Sequence, residues 1–94
     1  LDYFAVKARV LEAEMLSRRG SSADIEKAEN LCKKVISNPL SNKDLQARAK
    51  LVLAEISKKE RAEKLFEEVI EQENIDPYLI EKAKFLEKNL RKTN

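Results

Sequence analysis

An apolar pattern recurs in this chain at a spacing of 34 residues. Ala28-Glu29-Asn30-Leu31-Cys32-Lys33-Lys34-Val35-Ile36 aligns with Ala62-Glu63-Lys64-Leu65-Phe66-Glu67-Glu68-Val69-Ile70, and every apolar column matches. Leu45, Ala49, Leu51, Val52 and Ile56 align in the same way with Leu79, Ala83, Phe85, Leu86 and Leu90. A fixed period in this range marks stacked helical units, each unable to bury its apolar face alone.

The composition agrees with helices. Of 94 residues, 43% are hydrophobic and 38% charged, with one glycine and two prolines. That leaves little material for hairpins or a sandwich. No apolar run approaches the roughly 20 residues needed to span a bilayer. The N-terminus lacks a basic segment followed by an apolar one, so no signal peptide is read there. The first residue is Leu1 rather than Met, as in an excised fragment or a processed chain. The single cysteine allows no internal disulfide. An intracellular, cytoplasmic setting is therefore expected.

Periodicity predicts five helices. They run over about 2–19, 23–38, 43–57, 58–74 and 77–92. The first is expected to bury Phe4, Ala8, Leu11 and Met15 on one stripe. Start signals accompany them: Ser21-x-x-Asp24, Ser41-x-x-Asp44 and Ser57-x-x-Glu60 read as N-cap boxes, and Asp76-Pro77 as an N-cap followed by proline at the first helical position. With helices one, three and five called A, their columns are Phe4/Leu45/Leu79, Ala8/Ala49/Ala83, Val10/Leu51/Phe85, Leu11/Val52/Leu86 and Met15/Ile56/Leu90. The first offset is 41 and the second 34, because the turn around Arg19–Ala23 is longer. The recurring alanines mark close helix approach, and Tyr3, Phe4, Phe66 and Phe85 read as core.

These residues give the chain a resemblance to the tetratricopeptide repeat family. Ala49 stands at the small position of helix A, Ala28 and Ala62 at the small position opening helix B, and Phe66 at its large position. The tryptophan and glycine usual in helix A are absent, and the usual proline is displaced to Pro39 and Pro77. The half-a-TPR and pentatricopeptide families share the helical-hairpin design, so the subfamily stays open. The resemblance implies an all-α, right-handed stack of antiparallel helix hairpins, an α-solenoid of about five helices. It would form a single domain over 1–94, with units 1–40, 41–76 and 77–94, as a fragment of a larger protein or array.

The chain offers no catalytic constellation. It has no histidine, the commonest general base and metal ligand. Cys32 shares a column with Phe66 and reads as a packing thiol. Glu63, Glu67 and Glu71 follow helical spacing, as on a solvated face, and no glycine-rich phosphate loop is present. A non-catalytic chain without metal or cofactor is expected.

Charge is unevenly spread. Residues 60–77 carry −5, whereas 44–59 carry +2 and 78–94 carry +3. In the family, A helices line a concave groove, and the resemblance implies a basic groove with an acidic back. It also places Arg9, Lys50 and Lys84, one per A helix, on the groove as a basic ladder, with Gln46, Lys43 and Lys88 as neighbouring partner-binding candidates. Such a ladder suits an acidic or carboxylate-ended peptide. The expected function is a protein-interaction scaffold or adaptor for such a partner. The alternatives are an RNA-associated helical-repeat module, against which stand a net charge of only +2 and few aromatics, and a subunit that self-associates through terminal helices. For the last, Tyr78, Ile80 and Phe85 of the fifth helix are the expected extra apolar face.

Overall fold

The computed structural model describes residues 2–92, and these are helical with short connections. Among them are α1 (Tyr3–Arg19), α2 (Ser22–Ser37), α3 (Lys43–Glu55), α4 (Lys59–Glu71) and α5 (Pro77–Lys92). The last two residues of the expected third unit, Thr93 and Asn94, lie outside the described residues. Among the described residues, no helix is long and apolar enough to cross a membrane.

The helix starts are set by side chains that accept from free backbone amides. Asp2 accepts from the Ala5 amide at 2.8 Å, and Ser21 accepts from the Asp24 amide at 3.1 Å. The third start differs from expectation. Asn42, not Ser41, accepts from the Asp44 and Leu45 amides at 2.7 and 3.2 Å. Asn42 is one residue nearer the helix and reaches both amides, while the Ser41 hydroxyl is buried without a partner. The fourth start also differs: Lys58 holds the N-cap position with no side-chain bond. The Ser57 hydroxyl instead donates back to the Leu53 carbonyl of α3. At the fifth start, Asp76 accepts from the Tyr78 amide at 3.0 Å. Helix α1 ends at Gly20, whose φ of 76° is the left-handed conformation that glycine adopts without steric cost.

Each helix packs on its neighbours in the chain, and α3 also packs on both α1 and α5. Helices α2 and α4 approach each other through side chains, with Arg61 and Glu29 3.9 Å apart. The described chain measures 39 × 34 × 18 Å. Its short dimension is about two helix diameters, which suits α1, α3 and α5 in one layer and α2 and α4 in the other.

Helix α3 is the centre of this arrangement. Leu45, Ala49 and Val52 are buried along one side, and Ala47, Leu51 and Ala54 along the other. A helix apolar on both sides belongs between neighbours. Five of the aligned pairs, Ala28 and Ala62, Cys32 and Phe66, Val35 and Val69, Leu45 and Leu79, and Ala49 and Ala83, are buried at both positions, whereas Leu51 is buried and its partner Phe85 is exposed.

The expected stripe of α1 is reversed. Phe4 is 78% exposed, Met15 54% and Leu11 48%, and Ala8 is exposed as well. The buried face is Val6, Val10, Ala13 and Leu16. The offset of 41 persists on this other face, because Val6, Val10 and Ala13 match the buried Ala47, Leu51 and Ala54. The reason is position. Helix α3 has helices on both sides, whereas α1 has α2 and α3 on one side, so the positions equivalent to Leu45, Ala49 and Val52 meet solvent. Of the aromatics expected in the core only Phe66 is there; Tyr3, Phe4 and Phe85 are exposed. In α5, Ile80 packs against the core while Tyr78 and Phe85 stay exposed, so those three do not form one free face.

Candidate protein-binding cleft

A cleft of about 540 Å³ runs across α1, α3 and α5. Its basic side chains are Lys7 and Arg18 from α1, Arg48 from α3 and Lys82 from α5. Its acidic ones are Glu14, Asp44, Glu55 and Asp76. The floor includes Leu45, Leu51, Val52 and Leu79, and Tyr3 and Tyr78 stand at the starts of α1 and α5. Its volume is in the range of ligand clefts, but charged side chains dominate the lining, as on a surface that meets a polar chain rather than in an apolar small-molecule pocket.

Helical geometry makes the cleft. Lys7 and Arg48 are 41 residues apart, and Arg48 and Lys82 are 34 apart, the offsets that relate α1, α3 and α5. The three cations therefore occupy one equivalent position on three adjacent helices. Arg48 is tied to Glu14 of α1 by a 2.7 Å salt bridge, with both side chains mostly shielded from water. Asp44 accepts from the Asp76 amide at 2.8 Å, which pins the α4–α5 connection to the start of α3. The Lys7 ammonium lies 6.0 Å from the centre of the Tyr3 ring, within cation–π range.

The acids are more engaged than the bases. Glu14 is paired with Arg48, Asp44 accepts from the Asp76 amide, and Asp76 accepts from the Tyr78 amide. Lys7, Arg18 and Lys82 have no ion-pair partner within 4.0 Å among the described residues. Three cations thus stand open along a cleft whose formal charges balance.

The ladder expected from the sequence falls elsewhere. Arg9, Lys50 and Lys84 each lie two residues beyond the cleft cations. Two residues turn a helix by about 200°, so these side chains project away from the cleft. Arg9 is half-buried on α1, while Lys84 is exposed and 3.6 Å from Glu81 of its own helix. Lys88 is also exposed on α5. Lys43, Gln46 and Lys50 do come together, along the line where α3 meets α4. There Lys50 is 3.1 Å from Glu68, and Gln46 donates to the Asn38 carbonyl at 3.1 Å. A shallow, open depression of about 410 Å³ beside Lys43 and Lys50 is lined also by Glu68, Glu71 and Glu73. The acidic α4 thus neutralises the part of the ladder that gathers. Lys7-Arg48-Lys82 is a second column with the same offsets, two residues before the ladder.

Cys32 is buried at 1% exposure, and burial pushes its thiol up to about 12. Neutral and enclosed, it is a packing group rather than a nucleophile. No group of three or more cysteine, aspartate or glutamate side chains is placed to hold a metal among the described residues. No family model matches the chain, and neither does any curated protein or solved structure.

Proposed function

We propose that this chain is a non-catalytic protein-interaction module whose α1–α3–α5 cleft receives an acidic segment of a partner protein. The observation that carries this reading is the row of open cations, Lys7, Arg18 and Lys82, above an apolar floor. Charge-assisted bonds from such a row would orient an acidic chain, and the exposed rings of Tyr3 and Tyr78 would take its apolar side chains. The scaffold suited to this role is a stack of helix hairpins resembling the tetratricopeptide design. Burial that repeats at 34 residues and the central position of α3 favour it. Lys50 lies away from this cleft, beside α4, where Glu68 already neutralises it.

Two double variants separate the surfaces. The chain is used as bait, and retained proteins are compared by mass spectrometry. Lys7→Glu with Lys82→Glu is expected to weaken capture of acidic partners by about tenfold or more, with the larger loss at low salt. Arg9→Glu with Lys84→Glu is expected to leave capture unchanged. The opposite pattern rejects the cleft as the binding surface.

A further inference from the structure

Two equivalent pairs of side chains flank the α1–α3–α5 cleft. Tyr3 and Lys7 of α1 are four residues apart, and so are Tyr78 and Lys82 of α5. Four residues make about one helical turn, so each tyrosine lies beside its lysine on one face. The offsets of 41 and 34 relate Tyr3 to Asp44 and Asp44 to Tyr78, as they relate Lys7 to Arg48 and Arg48 to Lys82. These six residues form two rows of three across the helices, and all six line the cleft.

The middle helix breaks the pattern. At the two equivalent positions α3 carries Asp44 and Arg48, and both are engaged within the chain. Asp44 accepts from the Asp76 amide at 2.8 Å, and Arg48 holds Glu14 at 2.7 Å. The outer pairs are open. Lys7 and Lys82 have no ion-pair partner within 4.0 Å among the described residues. The Tyr3 and Tyr78 side chains are exposed. An ammonium beside an exposed ring offers a charge-assisted bond to a carboxylate and an apolar face to the next side chain. Arg18 belongs to neither pair, since it stands about three turns further along α1.

Spacing then selects the ligand. Adjacent helix axes are about 8–10 Å apart, so two steps from α1 to α5 separate the pairs by about 16–20 Å. An extended chain rises about 3.3 Å per residue and turns alternate side chains to one side, so carboxylates six residues apart span about 20 Å on the same side. A cleft of about 540 Å³ suits an extended chain over a helix, which is about 10–12 Å across with its side chains.

We propose that the cleft holds two equivalent acid subsites, Tyr3–Lys7 and Tyr78–Lys82, for an extended segment of a partner protein. Its two acidic side chains stand about six residues apart, each beside an apolar residue. This rests on the cleft being the binding surface. One subsite alone holds a carboxylate weakly, because exposed charge pairs contribute little. Once the first is filled, the second contact is intramolecular, and affinity comes from that linkage.

Fluorescence anisotropy at low salt, with two short labelled peptides of equal composition, tests this on the whole chain. One peptide carries two Glu-Leu pairs six residues apart, the other carries them two residues apart. The wide peptide is expected to bind about tenfold more tightly. Lys7→Gln and Lys82→Gln, at partly exposed positions and checked for folding by circular dichroism, are each expected to weaken the wide peptide about tenfold. Each should weaken the close peptide, which uses one pair at a time, by no more than about twofold. Equal affinity of the two peptides overturns the two-subsite arrangement and leaves the cleft as a general acidic-binding surface. Binding of the wide peptide that either variant leaves unchanged overturns it as well. If neither peptide binds the unaltered chain, the cleft reading falls with it.

Discussion

Replacing Phe66 by alanine is expected to cost about 3–5 kcal/mol, while Phe4→Ala changes stability by no more than about 0.5 kcal/mol. Phe66 is 3% exposed and belongs to the buried core to which all five helices contribute. Its removal loses the transfer energy of a ring and leaves a cavity that rigid neighbouring helices only partly close. A small domain has about 5–15 kcal/mol in total, so Phe66→Ala should leave the chain near its unfolding midpoint at modest denaturant. Phe4 is 78% exposed, and its ring already faces water in the monomer. Urea unfolding at dilute protein, where self-association does not contribute, measures both. Equal losses for the two would mean that α1 turns the Phe4 face inward after all.

The second large effect is alkaline. The Cys32 thiol is raised from 9.0 to about 12, first by burial and then by the negative charges of Glu14 and Glu29. The folded state therefore holds this proton after the unfolded chain has released it. Stability from the neutral thiol is complete below about pH 9 and is lost as pH rises toward about 12. The loss across that window is on the order of a few kcal/mol. Lysines lose charge over part of the same range, so the comparison is with Cys32→Ala. That variant starts less stable, from the lost packing, but should lose less on going from about pH 8.5 to about pH 10.5. Parallel decline of the two proteins would show that the thiol ionises without opening the core.

The helices themselves were legible because period and punctuation agree. The apolar columns of α2 and α4 have no competing interpretation, and Ala28, Cys32, Ala62 and Phe66 are all buried as their alignment implies. Helix α1 is different. It carries two apolar faces, Val6-Val10-Ala13-Leu16 and Phe4-Ala8-Leu11-Met15, on nearly opposite sides. Periodicity alone does not rank them, and the larger residues of the second face made it the attractive choice. Burial depends on which neighbours exist, which no pattern within one helix encodes. The cation column depends on register rather than on burial. Equivalent positions in α1, α3 and α5 do bring cations together, but they are Lys7, Arg48 and Lys82, half a turn from Arg9, Lys50 and Lys84. The caps failed on a finer scale. Asn42 and Ser41 both suit an N-cap by type, and only backbone geometry selects Asn42. Ser57 had a better acceptor in the α3 carbonyl behind it than donors ahead.

We propose that one side of the α1–α3–α5 layer binds acidic chains and that the other does not. Amide chemical shifts of the isotope-labelled chain, titrated with a short glutamate-rich peptide, test it most directly. The prediction is shifts that saturate at Lys7, Arg18, Arg48, Tyr78 and Lys82, weaken with added salt, and leave Arg9, Lys84 and Lys88 unmoved. Shifts centred on Arg9, Lys50 and Lys84, with the cleft residues unmoved, would contradict the account.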